Sequence, residues 1–113
     1  MTEKISLGDL LKKIPGPATR AWPKGEPFAD GLQHGTMSVE LFAPRGRDYQ
    51  KPHEQDELYI VVGGTANFIH NATRTAVEDG DVLFVPAGDE HQFENISHDF
   101  LTWVVFWGPK GGE

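Results

Sequence analysis

Apolar residues recur along the chain first at the spacing of a helix and later at the spacing of a strand. Over residues 7–14 they lie three or four positions apart, which predicts one short helix: Leu7, Leu10, Leu11 and Ile14. Ser6, with Asp9 three positions later, is typical of a helix start, and Pro15 is typical of a stop. Residues 18–31 then contain Pro and Gly at short intervals, which predicts an irregular arm.

From residue 33 onward the alternation has a period of two, which is typical of half-buried strands. The first such run covers residues 37–43, and the others cover residues 57–62, 66–70, 74–77, 82–86, 91–95 and 100–107. Turn sequences such as Asp79-Gly80 separate these runs. Strands this short and this frequent predict an all-β sandwich or small barrel, because closure protects the edges of the sheets.

A chain of 113 residues is the size of one domain, so no separate catalytic domain is expected. We predict a helix and arm over residues 1–32 that pack on a barrel over residues 33–107, with a loose tail over residues 108–113. Trp22 and Phe28 in the arm are large apolar side chains that a barrel this small would cover incompletely. We therefore expect a homodimer.

Composition narrows the classes of partner and of chemistry. The net charge of -7 disfavours nucleic acid and anionic membranes, both of which need a basic surface. No apolar run approaches the roughly 18 residues of a membrane span, so we expect no membrane partner and a cytoplasmic location. The absence of Cys excludes disulfides and thiolate chemistry, which leaves His, Asp and Glu as the strong metal ligands.

The densest polar cluster covers residues 51–57 and leads directly into a predicted strand. If that strand already begins near His53, alternate side chains place five residues on one face: His53, Gln55, Glu57, Tyr59 and Val61. A His and a Glu that face an apolar interior need a partner, and a divalent cation would supply one. The alternative is a surface loop of solvated charges, and the cluster alone does not decide between them.

A second pattern runs from Gly80 to Asn95. Its fixed positions match the second motif of the cupin family, G(X)5PxG(X)2H(X)3N, at every defined residue: Gly80, Pro86, Gly88, His91 and Asn95. The chain also resembles the family's first motif at four positions, the first of them shifted by one residue: Gly46, His53, Glu57 and Gly64. The resemblance implies a double-stranded β-helix, a jelly-roll-like barrel, with His53, Glu57 and His91 as metal ligands.

Two imidazoles and one carboxylate leave coordination positions open, which suits one divalent ion per chain, either Fe, Mn, Ni or Zn. The chain departs from the family at Lys51, which occupies the position of the first motif's other histidine. Its ammonium group does not bind cations, so we expect it at the rim of the metal pocket, facing solvent or an anionic substrate. The candidates for the rest of the pocket are Gln55, Tyr59 and Phe93, the last two of which are equally compatible with a core position. We interpret His34, His70 and His98 as surface residues.

Three functions fit these features. The first is a metal-dependent enzyme, an oxygenase, isomerase or lyase acting on a small polar organic molecule, for which the sequence identifies no catalytic acid or base. The second is a metal-containing protein that binds or senses a small molecule without turnover. The third is a structural barrel with a vestigial site, since one fold supports many functions.

Overall fold

The computed structural model describes residues 2–113, and within them almost all regular structure is β. One helix, α1 (Leu7–Leu11), precedes the strands. The strands are β1 (Phe28–His34), β2 (Met37–Phe42), β3 (Asp56–Gly63), β4 (Thr65–His70), β5 (Thr73–Glu78), β6 (Val82–Val85), β7 (His91–Glu94) and β8 (Leu101–Trp107). Every run predicted to be a strand is present, with its ends displaced by one residue at most.

The strands form two antiparallel sheets. A five-stranded sheet has the order β1-β2-β8-β3-β6, and a three-stranded sheet has the order β5-β4-β7. Strands that are adjacent in space but distant in the chain, such as β3 and β8, give the barrel its jelly-roll connections. The predicted all-β class is confirmed.

The space between the sheets is filled by aromatic and branched side chains that alternate with outward-facing residues along each strand. The buried cluster consists of Phe42, Tyr59, Val61, Ala66, Phe68, Val77, Val85, Phe93, Phe100 and Val104. The aromatic rings meet edge-on or tilted, with Tyr59 5.0 Å from Phe93 between ring centroids. This packing holds β3 and β7 against each other, and both strands carry predicted metal ligands.

A second, smaller cluster lies on the outer face of the five-stranded sheet, beneath α1. It is built on Leu10, Ala29 and Leu41, with Trp103 packed beside them. Gly31 makes this contact close, because a Cβ atom there would lie 2.6 Å from Ile5 Cδ1 and 2.9 Å from the Val39 carbonyl oxygen.

Three local predictions differ from the structure at the ends of the chain. The helix ends at Leu11 rather than residue 14, because the amides of Lys13 and Ile14 bond three residues back and tighten the last turn. Strand β1 begins inside the predicted arm, where Pro27 and Gly31 obscure the alternation. Residues 108–113 are tied to the barrel rather than loose, since the Glu113 amide donates to Asp56 Oδ2 at 3.1 Å.

Trp22, one of the two arm residues behind the expected homodimer, packs within its own chain. Its ring contacts Phe28, Phe42 and Tyr49 edge-on, at centroid distances of 6.4, 6.3 and 5.7 Å. Trp22 and Phe28 nevertheless stay only partly buried, and the homodimer remains a prediction for sedimentation to test. Within residues 2–113 there is no helix with the length and apolar character needed to cross a membrane.

Candidate metal centre

The three residues of the predicted ligand set come together inside the barrel. Glu57 lies at the start of β3, His91 begins β7 and His53 lies in the loop before β3. One ligand atom from each lies within 4.8 Å of the others. Strands β3 and β7 belong to different sheets, so the cluster joins the two sheets of the barrel.

His91 is held in one orientation from behind. Its Nδ1 lies 2.9 Å from the backbone carbonyl oxygen of Asp89. A carbonyl oxygen only accepts hydrogen bonds, so Nδ1 carries a proton and donates it there. In the neutral ring, Nε2 therefore presents its lone pair to the site, as a metal-ligating imidazole does.

Glu57 faces this lone pair without satisfying it. Glu57 Oε1 lies 2.9 Å from His91 Nε2, and both side chains are almost fully buried. Neither atom completes a well-aligned hydrogen bond with any donor or acceptor in residues 2–113. Two buried acceptors at this distance repel unless a proton or a cation lies between them. The donor set therefore fits a divalent metal ion.

Protonation of the cluster follows burial and the Glu57 carboxylate. Burial, the largest single influence, lowers the pKa of His91, but Glu57 and the Asp89 carbonyl together raise it above the usual value. Burial lowers the pKa of His53, an effect that the Glu57 carboxylate only partly offsets. Both burial and Glu57 raise the pKa of Tyr59, so its phenol keeps its proton.

His53 is held more loosely than His91. Its Nε2 lies 4.0 Å from Glu57 Oε2, and 35% of its side chain is exposed. The ring lies edge-on to Phe106 with centroids 4.8 Å apart, and Nε2 lies 3.2 Å from Gln50 Oε1.

The cluster opens into a cavity of about 470 Å³, within the range of small-molecule sites. Its apolar wall is formed by Ala21, Trp22, Phe28, Phe42, Val104 and Phe106. Its polar lining comes from Glu40, Gln50, Lys51, His53, Glu57 and Tyr59.

The four residues predicted for the rest of the pocket have different surroundings. Tyr59 lines the cavity and is fully buried, whereas Lys51 is exposed at the cavity's rim. Gln55 precedes the strand and donates to the carbonyl oxygens of Thr36 and Gly108, in a separate surface depression. Phe93 is a core residue, packed against Phe68 and Phe100.

Three further polar residues near the cluster were not identified from the sequence. Gln50 points into the cavity, Asp48 lies buried behind it, and Glu40 projects from β2 beside Phe42. For Glu40 a signal existed, because it alternates in phase with Phe42 in a strand whose other face is apolar. For Gln50 and Asp48 none did, since both lie in an irregular loop.

The remaining histidines lie away from the cluster. His34 and His98 are exposed. His70 is half-buried, with its Nε2 2.7 Å from Asp89 Oδ2. This pair holds the residue whose carbonyl oxygen orients His91.

Different structural constraints explain why the positions of the two motifs are occupied by glycine. Gly80 and Gly88 adopt φ of 90° and 84°, which favours glycine at the two turns that lead to His91. Gly64 has φ of 78°, and a Cβ atom there would lie 2.6 Å from Phe100 Cα.

Taken together, the fold and the cluster define a jelly-roll barrel with a candidate histidine and carboxylate metal centre in its interior. The chain belongs to the cupin family, since the family model described as the cupin domain matches residues 38–107. The resemblance noted from the motifs is thereby confirmed.

The names of the proteins that are similar to this chain do not state one common function. An uncharacterized protein of Streptomyces coelicolor is 44% identical over 81 residues, which cover 70% of this chain and 77% of that protein. The HTH-type transcriptional activator RhaS of Enterobacter is 28% identical over 76 residues, 67% of this chain but 27% of the activator. The DMSP lyase DddQ from Ruegeria pomeroyi superposes with a TM-score of 0.60 at 20% identity, over 74% of this chain and 48% of that one. The last similarity shows a shared fold.

Proposed function

We propose that this protein is a metal-dependent enzyme that moves a proton on a small polar organic molecule, as an isomerase or a lyase does. The observation that carries the proposal is the buried contact of Glu57 Oε1 with His91 Nε2, beside a cavity of about 470 Å³ that Glu57 and His53 line. A cation between these two atoms would satisfy both, and the protein otherwise leaves them without an aligned hydrogen bond within residues 2–113.

His53, Glu57 and His91 would hold the ion, and their donor set is compatible with Fe, Mn, Ni or Zn. When bound, such an ion polarises a carbonyl or carboxylate oxygen of the substrate. The open side of the cluster faces the cavity, where His53 is partly exposed. A substrate oxygen would therefore approach from the cavity rather than through the core.

The lining of the cavity favours a substrate that is small and partly apolar. Trp22, Phe28 and Phe106 exclude water from one side of it. Lys51 at the rim supplies a positive charge, which favours a molecule with an anionic group. The substrate class that fits both features is a small organic acid.

Glu40 is the group we propose for the proton transfer. It lines the same cavity as His53 and Glu57 and lies directly across the sheet from Asp30. Burial raises the pKa of Glu40 to about 8, and the charges of Asp30, Glu57 and Glu26 contribute to the increase. A carboxyl group with this pKa can both take and return a proton near neutral pH. It would remove the proton from a carbon next to the carbonyl group, and the electron pair would move toward the carbonyl oxygen.

Solvent exchange tests this proposal without a known product. The metal-loaded protein is incubated in D2O with a panel of small hydroxy acids and keto acids, and proton spectra record exchange at the carbon next to the carbonyl. We expect exchange with at least one acid, and its loss in Glu40→Gln with metal content unchanged. The matched control is Glu78→Gln, which changes an exposed glutamate on β5. Exchange that survives Glu40→Gln would contradict the role of Glu40.

The second candidate is a protein that binds or senses a small molecule without turnover. The similarity to RhaS, a transcriptional activator of which this chain spans about a quarter, favours it. The same spectra decide between the two functions. Acids whose signals shift or broaden on binding, with no exchange in any of them, would support the sensor and overturn the enzyme.

A further inference from the structure

We propose that Gln50 supplies a fourth ligand, its side-chain carbonyl oxygen, to the metal centre, and that buried Asp48 aims this oxygen at the ion. The inference rests on the proposed metal site and extends it to a residue outside both sequence motifs. It assigns Gln50 as a ligand and Asp48 as a positioning residue.

Asp48 fixes which end of the Gln50 amide faces the site. Asp48 is only 2% exposed, and its Oδ2 accepts a hydrogen bond from Gln50 Nε2 at 2.6 Å. The same oxygen accepts from the Phe93 amide at 2.9 Å, which anchors the carboxylate to β7. A reversed Gln50 amide would place its oxygen against a carboxylate oxygen at that distance. The Gln50 Oε1 atom is therefore held toward the cavity.

The oxygen lies where a ligand would lie. Gln50 Oε1 accepts a hydrogen bond from the Tyr59 hydroxyl at 2.9 Å, and it lies 3.2 Å from His53 Nε2. Two donor atoms that bind one ion at about 2.1 Å and at a right angle lie about 3 Å apart. A carbonyl oxygen has two lone pairs, and Tyr59 occupies only one of them. The second is available to His53 Nε2, which lies 3.2 Å from the oxygen and donates a hydrogen bond to it when that nitrogen carries the ring proton. When the ring proton is on Nδ1 instead, Gln50 Oε1 and His53 Nε2 are both free to bind one ion.

The local backbone explains why residue 50, and not residue 51, faces inward. The Gln50 amide donates to Asp48 Oδ1 at 2.9 Å, a side-chain turn that reverses the chain within two residues. Lys51 is left exposed at the rim. The turn thus places an amide oxygen beside His53, and the resulting set has two nitrogens and two oxygens. More oxygen ligands favour harder ions such as Mn²⁺ over Zn²⁺.

The experiment compares the full-length wild type with Gln50→Leu, which keeps the side-chain size but removes the oxygen proposed to bind the metal. Affinity for Mn²⁺ and Co²⁺ is measured by chelator competition, and the visible absorption of bound Co²⁺ reports the coordination number. We expect Gln50→Leu to bind both ions at least about tenfold more weakly, with an altered Co²⁺ spectrum. The matched control Gln33→Leu, at an exposed position on β1, should match the wild type in both measurements.

A double-mutant cycle tests the positioning role of Asp48. Asp48→Asn alone should weaken binding several-fold, and adding it to Gln50→Leu should weaken binding no further. If Asp48→Asn weakens binding as much in the Gln50→Leu background as it does alone, Asp48 acts through the fold rather than through Gln50. Near-ultraviolet circular dichroism would then show the change in the fold directly.

The outcomes separate this inference from the metal site itself. Wild-type affinity and an unchanged Co²⁺ spectrum in Gln50→Leu would overturn Gln50 as a ligand and leave the three-residue site intact. A wild type that binds neither ion would instead overturn the metal site and, with it, the role of Gln50.

Discussion

The two histidines of the cluster are chemically identical, yet the barrel holds them in different ways. The His91 side chain is 1% exposed, bonds backward to the Asp89 carbonyl and faces Glu57 at 2.9 Å. The His53 side chain is 35% exposed, lies 4.0 Å from Glu57 and contacts Gln50 from the side. His91 belongs to a strand fixed by the intact second motif, and His53 to a loop in the altered first motif.

This difference suggests a division of roles within one site. Glu57 Oε1 and His91 Nε2 are both desolvated and complete no aligned hydrogen bond within residues 2–113, so this pair has the greater need for a cation. The side with His53 and Gln50 is next to the cavity opening and can exchange ligands with solvent or substrate. We therefore expect affinity to depend most on the buried pair, and access to depend on the first-motif loop.

Removal of the buried histidine should have the largest effect on metal binding. We expect His91→Ala to lower the affinity for Co²⁺ by more than about 100-fold, and His53→Ala by about tenfold, because water can replace the more exposed ligand. Chelator competition measures both, with His98→Ala as the exposed control. Equal losses in the two variants would contradict the division of roles.

The metal should also stabilise the fold, through the same pair. At a free concentration of about 100 times Kd, binding adds about 2.7 kcal/mol to the free energy of unfolding. For a domain of this size the increase corresponds to a rise of about 10 °C in Tm. Calorimetry with and without Zn²⁺ should show this rise in the wild type and none in His91→Ala. A rise of the same size in His91→Ala would place the ion elsewhere.

The open side of the site should show a pH dependence that comes from Glu40. Its pKa is raised to about 8 by burial and by Asp30, Glu57 and Glu26, from an ordinary value of 4.5. The folded state therefore binds this proton more tightly than the unfolded state does. The resulting stability is fully present below about pH 4.5 and is lost as the pH rises toward 8.

Glu40→Gln removes this pH-dependent loss of stability, because the glutamine side chain does not ionise. We expect the metal-free variant to gain about 1–3 kcal/mol in stability over the wild type at pH 8, and much less at pH 5. Urea unfolding at the two pH values measures the difference, and Glu78→Gln is the control. A gain that is equal at both pH values would show that Glu40 is destabilising for a reason other than its proton.

The same contrast separates what could be predicted from the sequence from what could not. The second motif specifies glycines at two positive-φ turns and a short strand, so it correctly predicted where β6 ends and β7 begins with His91. The strands were predictable because each has one buried face. Residues 48–53 have no such period, and their direction depends on the Asp48 side chain, which is buried by β7 far along the chain. Strand β1 was missed because Gly31 is required by the contact with Ile5 rather than by the strand itself.

The smallest expected effect is at Lys51, where the motif register and the structure lead to opposite results. If the register set by Glu57 and Gly64 extends to residue 51, Lys51→His completes a three-histidine set and tightens metal binding. In the structure the turn at Asp48 directs Gln50 inward and leaves residue 51 exposed. We therefore expect Lys51→His and Lys51→Ala each to change the Kd for Co²⁺ by less than about twofold, since a ligand must reach the ion to add affinity. Chelator competition on both variants makes the comparison, and tightening of tenfold in Lys51→His alone would show that the loop turns residue 51 toward the ion.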